Sequence, residues 1–384
     1  MKKSEALLPK IHRLNYIGSK YQLLQWLTDY IKEKTGFATF ENKTVADLFA
    51  GTGVVSYHFR QQGAATIYSN DSELYSSVIA HAFTRSVYTE RVRHVIDQMN
   101  TAVAATPPGF VTRHYSPFEG NERMFFTVEN ARRIDAMRAM LETVADLTRD
   151  EYQFILASII ISADAVSNVP AVYGSYLKNF KAKAAKPLVL FPIHMITACA
   201  SACASASATF HADVTDPTFL SATLPPVDIA YLDPPYNERQ YSKNYFPLNI
   251  IAKTPASLNT EPPLKGKTGI PTDCFLSPFC RKGAASETAF DTLICGLRAK
   301  WIFLSYNSES IVSKEKMLEI LRRYGTVSVI EREYKRFKSF EYNKDKAIQE
   351  YLFCLEKKGV STDPAAAATA AATASTTTLP CNAR

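Results

Sequence analysis

The stretch Val227-Asp228-Ile229-Ala230-Tyr231-Leu232-Asp233-Pro234-Pro235-Tyr236 decides the fold of this chain. Its apolar residues, Val227 and Ile229 to Leu232, predict a short buried strand. Pairing must stop at Pro234, because it has no N–H and because Pro235 holds it in an extended conformation with its carbonyl turned away from the sheet. The carboxyl end of such a strand is where open α/β sheets hold their ligands.

The residues at this strand end can bind a planar base. Asp233 offers a carboxylate, Pro234 a free backbone carbonyl and Tyr236 an aromatic face. Two acceptors and one ring suit a base that carries an exocyclic amine. The alternative interpretation is a proline turn followed by a surface tyrosine.

The composition indicates a globular protein with one large domain or two. The chain has 384 residues, of which 46% are hydrophobic, and this is enough for a full core. Its net charge of +7 favours polyanionic partners. The seven cysteines contain no C-x-x-C pair and no histidine stands at zinc spacing, so we predict no metal site.

The sequence predicts no segment that crosses a membrane. The longest apolar run, Phe154 to Val166, is interrupted by polar residues and is too short to span a bilayer. An odd number of cysteines without a secretory signal fits a reducing cytoplasm. We therefore expect a cytoplasmic protein.

The first motif in chain order is Asn15-Tyr16-Ile17-Gly18-Ser19-Lys20. Ser19 and Gln22 have the spacing of a capping box, and apolar residues with helical spacing continue towards Gly36. Lys20 then lies in the first helical turn, where the helix dipole disfavours a cation. It is either held there for an anion, such as a carboxylate, or it is a solvated surface lysine.

The second motif is a strand, glycine turn and helix. The strand Thr44–Phe49 leads into Gly51 and Gly53, which let backbone N–H groups approach a ligand. A dinucleotide fingerprint would need glycine at Ser56, which disfavours a nicotinamide oxidoreductase, and no P-loop lysine follows. A single G-x-G preceded by Asp47 fits a methyl-donor site better than a nucleotide phosphate site.

Two further acids follow predicted strands. Asp71 ends the strand that begins at Thr66, and its carboxylate can accept both hydroxyls of a ribose or cap the next helix. These two interpretations are compatible. Asp213 follows the strand Ala208–His211 and either binds the amino group of an adenine ring or forms a turn.

Between Thr84 and Ala208 the alternation of strands and helices stops. We predict a separate, mostly helical module of ~120 residues there, with a loop at Gly109–Asn121 and a helix at Arg149–Ala165. Within it, Tyr173–Lys181 interleaves aromatic residues with lysines. That pattern suits contacts with phosphates and bases, and the alternative is a solvated basic face.

The remaining segments complete the predicted sheet. The stretch Asn237–Phe246 is too polar and aromatic for a passive loop, whereas Lys253–Gly283 is predicted to be a long mobile surface segment. The other predictions are a strand at Trp301–Tyr306, a helix at Ser313–Tyr324, a closing hairpin of Val327–Tyr334 with Tyr351–Leu355, and a disordered Ala/Thr-rich tail after Gly359.

Three motifs in this order, Asn15 to Lys20, Asp47 to Gly53 and Asp233 to Tyr236, resemble the D12 class of adenine-specific DNA methyltransferases, the Dam-like or α group. In that class the lysine motif comes first, then the donor-binding glycine turn, then a target-recognition region, and last the catalytic tetrapeptide. The helical insertion falls where the recognition region belongs. The resemblance covers roughly residues 12–90 and 208–355.

This resemblance implies an α/β, Rossmann-like methyltransferase fold that uses S-adenosylmethionine. Its central, mostly parallel sheet would carry a C-terminal antiparallel hairpin and a mostly helical target-recognition insertion. Residues 1–88 and 206–358 would form the catalytic domain, 89–205 the DNA-binding insertion and 359–384 the tail. The implied reaction is methyl transfer to N6 of an adenine flipped out of double-stranded DNA in the nucleoid. The implied context is a restriction-modification system with a cognate restriction endonuclease, or an orphan or phage methylase.

The resemblance also implies roles for individual residues. Lys20 would contact the donor near its carboxylate, and the other donor-binding residues would be Tyr16, Asp47, Phe49, Gly51, Gly53, Asp71 for the ribose and Asp213 for the cofactor adenine. The target adenine would be held by Asp233, Pro234, Pro235 and Tyr236. We predict DNA contacts at Lys178, Lys181, Lys183, Arg239 and Asn244.

Two other functions remain open at this point. A methyltransferase of the same fold can act on RNA or on a protein amide, although the basic insertion and the motif from Tyr16 to Lys20 favour DNA. A non-catalytic DNA-binding module with a degenerate cofactor fold is disfavoured by intact Asp233, Gly51 and Gly53.

Overall fold

The predicted strands come together in one sheet in the computed structural model, which describes residues 11–12, 14, 16, 18–101, 107–196, 206–260, 263–334 and 348–359. In chain order the strands are β1 (Thr44–Asp47), β2 (Thr66–Asn70), β3 (Ala208–Phe210), β4 (Val227–Leu232), β5 (Leu264–Lys265), β6 (Ile270–Pro271), β7 (Ala299–Asn307), β8 (Gly325–Tyr334) and β9 (Ile348–Lys357). Strands β5 and β6 form a small antiparallel hairpin, and the other seven form the sheet.

The α-helices of the described residues are also numbered in chain order. They are α1 (Leu24–Thr35), α2 (Val54–Gln61), α3 (Leu74–Thr84), α4 (Glu90–Thr101), α5 (Phe110–Tyr115), α6 (Val128–Thr143), α7 (Arg149–Ala165), α8 (Tyr241–Ala252), α9 (Ala284–Gly296) and α10 (Lys314–Arg322). A 3₁₀ turn, Lys20–Leu23, precedes α1. The capping box predicted at Ser19 is wrong: Ser19 makes no side-chain capping hydrogen bond, because this turn separates it from the first α-helical residue.

The sheet order is β3-β2-β1-β4-β7-β9-β8. Strands β3, β2, β1, β4 and β7 are parallel to one another, and β9 runs antiparallel to both β7 and β8. This confirms the predicted fold class. The chain leaves β1 towards β2 on one side and returns to β4 on the other, so the topological switch point lies between the carboxyl ends of β1 and β4.

The two faces of the sheet bury alternate residues of each strand. Val45 of β1 and Ile229 of β4 pack with α1 and α2, while Ala46 and Ala230 pack with α9 and α10 on the opposite face. This alternation follows from the pleat, which points successive side chains to opposite faces. The strands therefore need apolar residues at nearly every position, as the sequence of β4 has.

The insertion is mostly helical, as predicted, but it does not pack as a separate module. Helices α4, α6 and α7 share one continuous apolar core with α3 and α8. Helix α3 is buried along almost its whole length between the sheet and α7. The assignment of residues 89–205 to target recognition stays a prediction.

The predicted loop at Gly109–Asn121 contains α5 instead. The carboxylate of Asp135, on α6, accepts hydrogen bonds of 2.6–3.1 Å from the backbone N–H groups of Val111 and Thr112 and from the Thr112 hydroxyl. The first turn of α5 is thus capped by a residue distant in sequence. A pattern of local residues cannot reveal such a cap.

The segment Lys253–Gly283 is more ordered than we predicted. It contains the β5–β6 hairpin, and the side chains of Phe279 and Cys280 are buried. Helices α8 and α9 on either side of it were not predicted. Pro247 lies inside α8 and Tyr245 has a non-helical φ of −132°, so the proline concealed this helix.

Some sequence predictions lie outside the described residues. These are the tail from residue 360 onwards and two residues of the first motif, Asn15 and Ile17. Within the described ranges, none of the helices has the length and apolar character needed to cross a membrane.

Candidate active site

The glycine turn after β1 has a backbone that other residues could not adopt without strain. Gly51 and Gly53 have φ values of +51° and +70°. A Cβ on Gly53 would lie 3.0 Å from the Cα of Ala80, and one on Gly51 would lie 3.1 Å from the ring of Tyr16. Both glycines are therefore required by close packing as well as by their backbone conformation.

Two buried carboxylates hold this turn. Asp47 Oδ2 accepts hydrogen bonds from the Ser56 backbone N–H (3.1 Å) and hydroxyl (2.6 Å). Asp71 Oδ2 accepts one from the Gly51 N–H (2.7 Å), and its Oδ1 accepts one from the Glu73 N–H (2.9 Å). Asp71 therefore stabilises the turn before α3, but it does not form the helix cap that the sequence allowed, because the N-cap of α3 is Glu73 and no side chain caps it. The ribose contact of Asp71 stays a prediction.

The same carboxylates can receive a positively charged ligand. Asp47 Oδ1 is buried and has no hydrogen-bond partner among the described residues. Burial raises the pKa of Asp47 to about 7 and that of Asp71 to about 6. An unpaired buried carboxylate oxygen is costly, and a cationic group bound beside it would remove that cost. We call Asp47, Gly51, Gly53 and Asp71 the glycine-turn cluster.

An aromatic wall stands against this cluster. Tyr16 stacks on Tyr245 of α8 at a centroid distance of 5.0 Å and lies 5.5 Å from Tyr241. Tyr75 of α3 lies 5.6 Å from Tyr245. The predicted donor residue Tyr16 is thus brought to Gly51, and α8 supplies rings that the sequence analysis did not assign to the site.

At the end of β4, Lys20 is buried against two carboxylates. Its Nζ lies 2.9 Å from Asp233 Oδ1 and 3.4 Å from Glu350 Oε1, and the side chain is only 5% exposed. It also lies 4.7 Å from the ring centroid of Tyr236, within reach of a cation–π contact. The interpretation of Lys20 as a solvated surface lysine is therefore wrong. Its contact with the carboxylate of the donor stays a prediction.

The ionisation of this group follows from the pairing. Burial opposes the charged form of Lys20, but the carboxylates of Asp233 and Glu350 outweigh it and raise its pKa. Burial raises the pKa of Asp233 and of Glu350, while the ammonium of Lys20 opposes that rise in both. We call Lys20, Asp233, Tyr236 and Glu350 the lysine–carboxylate cluster.

Tyr236 is held on three sides. Its hydroxyl donates a hydrogen bond to Glu350 Oε1 (2.8 Å), and its ring packs edge-on against Tyr306 at 5.1 Å. Its carbonyl accepts a hydrogen bond from the N–H of Ile311 (3.1 Å). The side chain is half-buried, so the alternative of a free surface tyrosine does not describe it. Pro234 is buried beside it and Pro235 is half-buried.

Glu350 is the residue of this site that the sequence analysis missed. Because β9 is antiparallel, its first residues lie at the carboxyl edge of β7, where Glu350 is paired with Asn307. The face of β9 that carries Glu350 also carries three buried residues, Ile348, Leu352 and Cys354. An acid in this otherwise apolar series was a signal in the sequence that could have indicated a functional residue. It could be interpreted only once the neighbour of β9 was known.

The two clusters lie at one edge of the sheet. In the pairing of β1 with β4, Asp47 is opposite Tyr231, and the Leu48 N–H donates to the Tyr231 carbonyl at 3.2 Å. The glycine turn and Asp233 follow these paired residues directly. Burial has the largest effect on the pKa of Asp47 and raises it, and the hydrogen bond from Ser56 opposes that rise. The negative charge of Asp233 raises the pKa of Asp47 further, by a smaller amount.

Two other predicted donor residues have protein contacts of their own. Asp213 Oδ1 accepts hydrogen bonds from the N–H (2.9 Å) and hydroxyl (2.7 Å) of Thr215, as a turn-forming residue does. The ring of Phe49 packs edge-on against Phe279 at 5.2 Å. Their contacts with a cofactor stay predictions.

The predicted DNA contacts divide into two groups. Lys178 and Arg239 are exposed. Lys181 donates to the carbonyl of Val169 and Lys183 to that of Asp164, so these two ammonium groups support the loop that carries them.

Asn244 joins this loop to α8. Its carbonyl accepts a hydrogen bond from the Tyr173 N–H at 2.8 Å, and a Cβ on Gly174 would lie 3.2 Å from its Oδ1. The structure therefore brings the loop and the start of α8 together. Binding of DNA by these residues stays a prediction.

Comparisons with known proteins show which proteins this chain is similar to. The model of the D12 class N6 adenine-specific DNA methyltransferases matches residues 16–320. The type II methyltransferase M.CviAII of Paramecium bursaria Chlorella virus 1 is 38% identical over 349 residues, which cover 89% of this chain and 98% of that protein. The type II methyltransferase M.NlaIII of Neisseria lactamica is 35% identical over 355 residues, which cover 90% of this chain and 99% of that protein.

Among solved structures, the chain overlaps with that of a candidate RNA methyltransferase, PH1948 from Pyrococcus horikoshii. The identity is 13% and the TM-score 0.28, over 91% of this chain and 90% of that one, and no argument rests on it. The family model spans all three motifs as far as Asp233 to Tyr236, and two relatives align over nearly their whole length. The chain belongs to the D12 class of N6 adenine-specific DNA methyltransferases.

Proposed function

We propose that this adenine-specific DNA methyltransferase transfers a methyl group from S-adenosylmethionine to N6 of an adenine flipped out of double-stranded DNA. One observation carries the proposal: the glycine-turn cluster after β1 and the lysine–carboxylate cluster after β4 lie side by side at the switch point of the sheet. A donor on the first and a base at the second would meet there.

The glycine-turn cluster fits the charge of the donor. S-adenosylmethionine supplies an electrophilic methyl group on a sulfonium, and its methionine part carries a further ammonium. The buried carboxylate of Asp47 would hold positive charge on the donor, because its Oδ1 has no hydrogen-bond partner among the described residues. Asp71 would bind the ribose hydroxyls. Tyr16 and Phe49 would flank the methionine part, and Asp213 would bind the cofactor adenine.

The lysine–carboxylate cluster fits the target base. An aryl amine is a poor nucleophile because its lone pair is delocalised into the ring. Hydrogen bonds from the amine to the Asp233 carboxylate and the Pro234 carbonyl would favour a tetrahedral nitrogen and free that lone pair. Catalysis then depends on positioning and on electrostatics in a pocket shielded from water.

Lys20 supports this role of Asp233. An ionised carboxylate accepts the amine hydrogen bond more strongly than a protonated one, yet burial raises the pKa of Asp233. The ammonium of Lys20, 2.9 Å away, favours the ionised form. Asp233 need not be a strong base, because the amine proton becomes acidic only once the new C–N bond forms.

Tyr236 would hold the extruded base. Flipping an adenine out of the duplex costs a few kcal/mol. Stacking of a base on an aromatic side chain contributes about 1–3 kcal/mol, which offsets part of that cost. The contacts of Tyr236 with Glu350 and Tyr306 fix the ring before the base arrives.

The biological context follows from the relatives. Both M.CviAII and M.NlaIII are named type II methyltransferases. We propose that this chain is likewise the modification component of a restriction-modification system, with a cognate restriction endonuclease as partner. Residues 89–205 would read the target sequence, with phosphate or base contacts from Lys178, Lys181, Lys183, Arg239 and Asn244.

The test uses labelled S-adenosylmethionine with either duplex DNA or transcribed RNA of the same sequence. We expect label in N6-methyladenine of the duplex and none in the RNA, and purified duplex should then resist a restriction nuclease that cuts at the methylated site. Label in RNA at an equal or higher rate would contradict the proposal.

A further inference from the structure

Glu350 is a buried acid that enters the mechanism above only through its contact with Tyr236. It lies on β9, beyond residues 16–320 matched by the family model, and it is only 4% exposed. One of its oxygens, Oε1, is shared: it accepts the Tyr236 hydroxyl at 2.8 Å and lies 3.4 Å from Lys20 Nζ. Tyr236 is one of the proposed target-binding residues, and Lys20 is paired with another of them, Asp233.

An acid at this position needs a physical reason. A buried carboxylate costs several kcal/mol unless it is paired and hydrogen-bonded. The buried neighbours of Glu350 on this face of β9 are without that cost, because their side chains are not charged. They are Ile348, Leu352 and Cys354. Glu350 is therefore stable only through the two partners it holds, and it constrains them in return.

The hydrogen bond from Tyr236 fixes the ring of that residue. The χ2 torsion of a tyrosine is broad, so packing alone leaves some freedom in the plane of the ring. Anchoring the hydroxyl on Glu350 and the edge on Tyr306 leaves one orientation. A base that stacks on Tyr236 then meets a surface already in place.

The contact between Glu350 and Lys20 divides the positive charge of Lys20 between two carboxylates. One ammonium faces two carboxylates, at 2.9 Å on Asp233 and 3.4 Å on Glu350. With both carboxylates ionised, the cluster keeps a net negative charge beside the target amine. Without Glu350, Lys20 would pair with Asp233 alone and neutralise the acceptor of the amine.

We propose that Glu350 is a positioning residue for methyl transfer, which holds the hydroxyl of Tyr236 and the ammonium of Lys20. It thereby orients the ring that receives the extruded adenine and sets how much of Lys20 is paired with Asp233. This inference rests on the proposed function of Asp233 and Tyr236.

The charged and titratable groups around Glu350 set the sign of the pH effect. They are Lys20 before α1, Asp233, Tyr231 and Tyr236 on and after β4, and Arg332, the cross-strand neighbour on β8, while Asp47 on β1 acts on Asp233. Glu350→Gln removes one negative charge near Asp233 and leaves the ammonium of Lys20 paired with the Asp233 carboxylate. Both changes lower the pKa of Asp233, so the acid limb of the profile of rate against pH moves to lower pH.

The test measures single-turnover methylation of duplex DNA against pH for Glu350→Gln, Glu350→Ala, Tyr236→Phe and the double variant Tyr236→Phe/Glu350→Ala. Glu356→Gln is the matched control, because Glu356 is an exposed acid on the same strand. We expect Glu350→Ala to slow methylation roughly 10- to 100-fold, as for loss of a hydrogen bond to a charged group. We expect Glu350→Gln to move the acid limb to lower pH and the control to match the wild type.

The double variant separates a positioning role from a general loss of structure. If Glu350 acts through the Tyr236 hydroxyl, the double variant loses less than the product of the two single losses. Additive losses together with an unmoved acid limb in Glu350→Gln would overturn the inference, as would wild-type rates in both Glu350 variants. Should Glu350→Ala fail to fold, the pH profile of Glu350→Gln decides. An active Asp233→Ala variant would instead overturn the proposed function, so the two failures are distinct.

Discussion

The two halves of this active site are assembled in different ways. The glycine-turn cluster comes from one continuous stretch, Asp47 to Asp71, and its carboxylates bind backbone N–H groups of that same stretch. The lysine–carboxylate cluster comes from three distant parts of the chain, and its groups bind one another. The first is a property of local backbone geometry, and the second exists only when the sheet is complete.

This difference has consequences for mutation. A substitution in the glycine-turn cluster distorts a backbone, so it should affect donor binding and stability together. A substitution of Asp233 or Tyr236 in the lysine–carboxylate cluster changes charge and hydrogen bonding at the target base, so it should affect the rate and leave donor binding intact. The predictions below test that separation.

The largest effect is expected for Asp233→Ala. Loss of the carboxylate removes the acceptor of the target amine, and we expect the single-turnover rate of methylation to fall by about 10³-fold or more. Binding of labelled S-adenosylmethionine, measured by equilibrium dialysis, should stay within a few-fold of wild type. Asp273→Ala, at an exposed acid, is the control. Full activity in Asp233→Ala would end the proposed mechanism.

In the other half of the site, Gly53→Ala should weaken donor binding and stability. The new Cβ would lie 3.0 Å from the Cα of Ala80 in a backbone with φ of +70°. Gly36→Ala is matched, because Gly36 has φ of +72° and open space around its Cβ position. We expect about 1–3 kcal/mol of strain from the conformation in both variants and a further loss only in Gly53→Ala. Equal unfolding free energies with unchanged donor affinity would show that the close approach is unimportant.

Donor binding should also depend on pH through Asp47 and Asp71. Burial raises the pKa of these carboxylates to about 7 and about 6, and the cationic donor favours their ionised forms. As pH falls below 7 the carboxylates take up protons, so the Kd of the donor should rise, approaching about tenfold per pH unit for each group that must be ionised. Isothermal titration between pH 5 and 8 measures this. Asp47→Asn should remove the part of the dependence near pH 7, and an identical profile in that variant would exclude Asp47.

A smaller effect is expected for Tyr236→Ala. Loss of stacking should weaken capture of the extruded base by about 1–3 kcal/mol without affecting donor binding. The rise in fluorescence of 2-aminopurine at the target position reports extrusion, and it should be reduced in this variant. An unchanged rise would contradict the stacking role. Tyr324→Ala controls for the loss of a ring, because the hydroxyl of Tyr324 donates a hydrogen bond to Asp291 on α9 and the residue is not part of either cluster.

The smallest effect is expected from removal of the residues after Gly359. The described core ends with β9, whose apolar residues are already buried. The truncated protein should methylate DNA at the wild-type rate. A loss of activity would show that the predicted tail is not inert.

The sequence was informative where the site is local. Asp47, Gly51, Gly53 and Asp71 stand at spacings dictated by one strand–turn–helix unit, and their placement was predicted. The tetrapeptide from Asp233 was predicted for the same reason, since prolines end a strand by covalent geometry. The strands of the sheet and its C-terminal hairpin were predicted from the apolar segments, whereas the mostly parallel arrangement was implied by the family resemblance.

The sequence was less informative where the site depends on tertiary contacts. An anion beside Lys20 was one of two interpretations of the sequence, and the identity of its partners, Asp233 and Glu350, depends on the pairing of β4, β7 and β9. Helix α8 was concealed by Pro247, and α5 by a cap from Asp135 on another helix. Each of these features requires contacts between residues far apart in the chain.

The most direct test of the central claim is a crystal structure of the protein with duplex DNA and a non-reactive analogue of S-adenosylmethionine. We predict an adenine outside the helical stack, with its N6 within hydrogen-bonding distance of the Asp233 carboxylate and the Pro234 carbonyl, and with the analogue on the glycine turn. A stacked adenine, or an extruded one whose amine contacts neither group, would contradict the account.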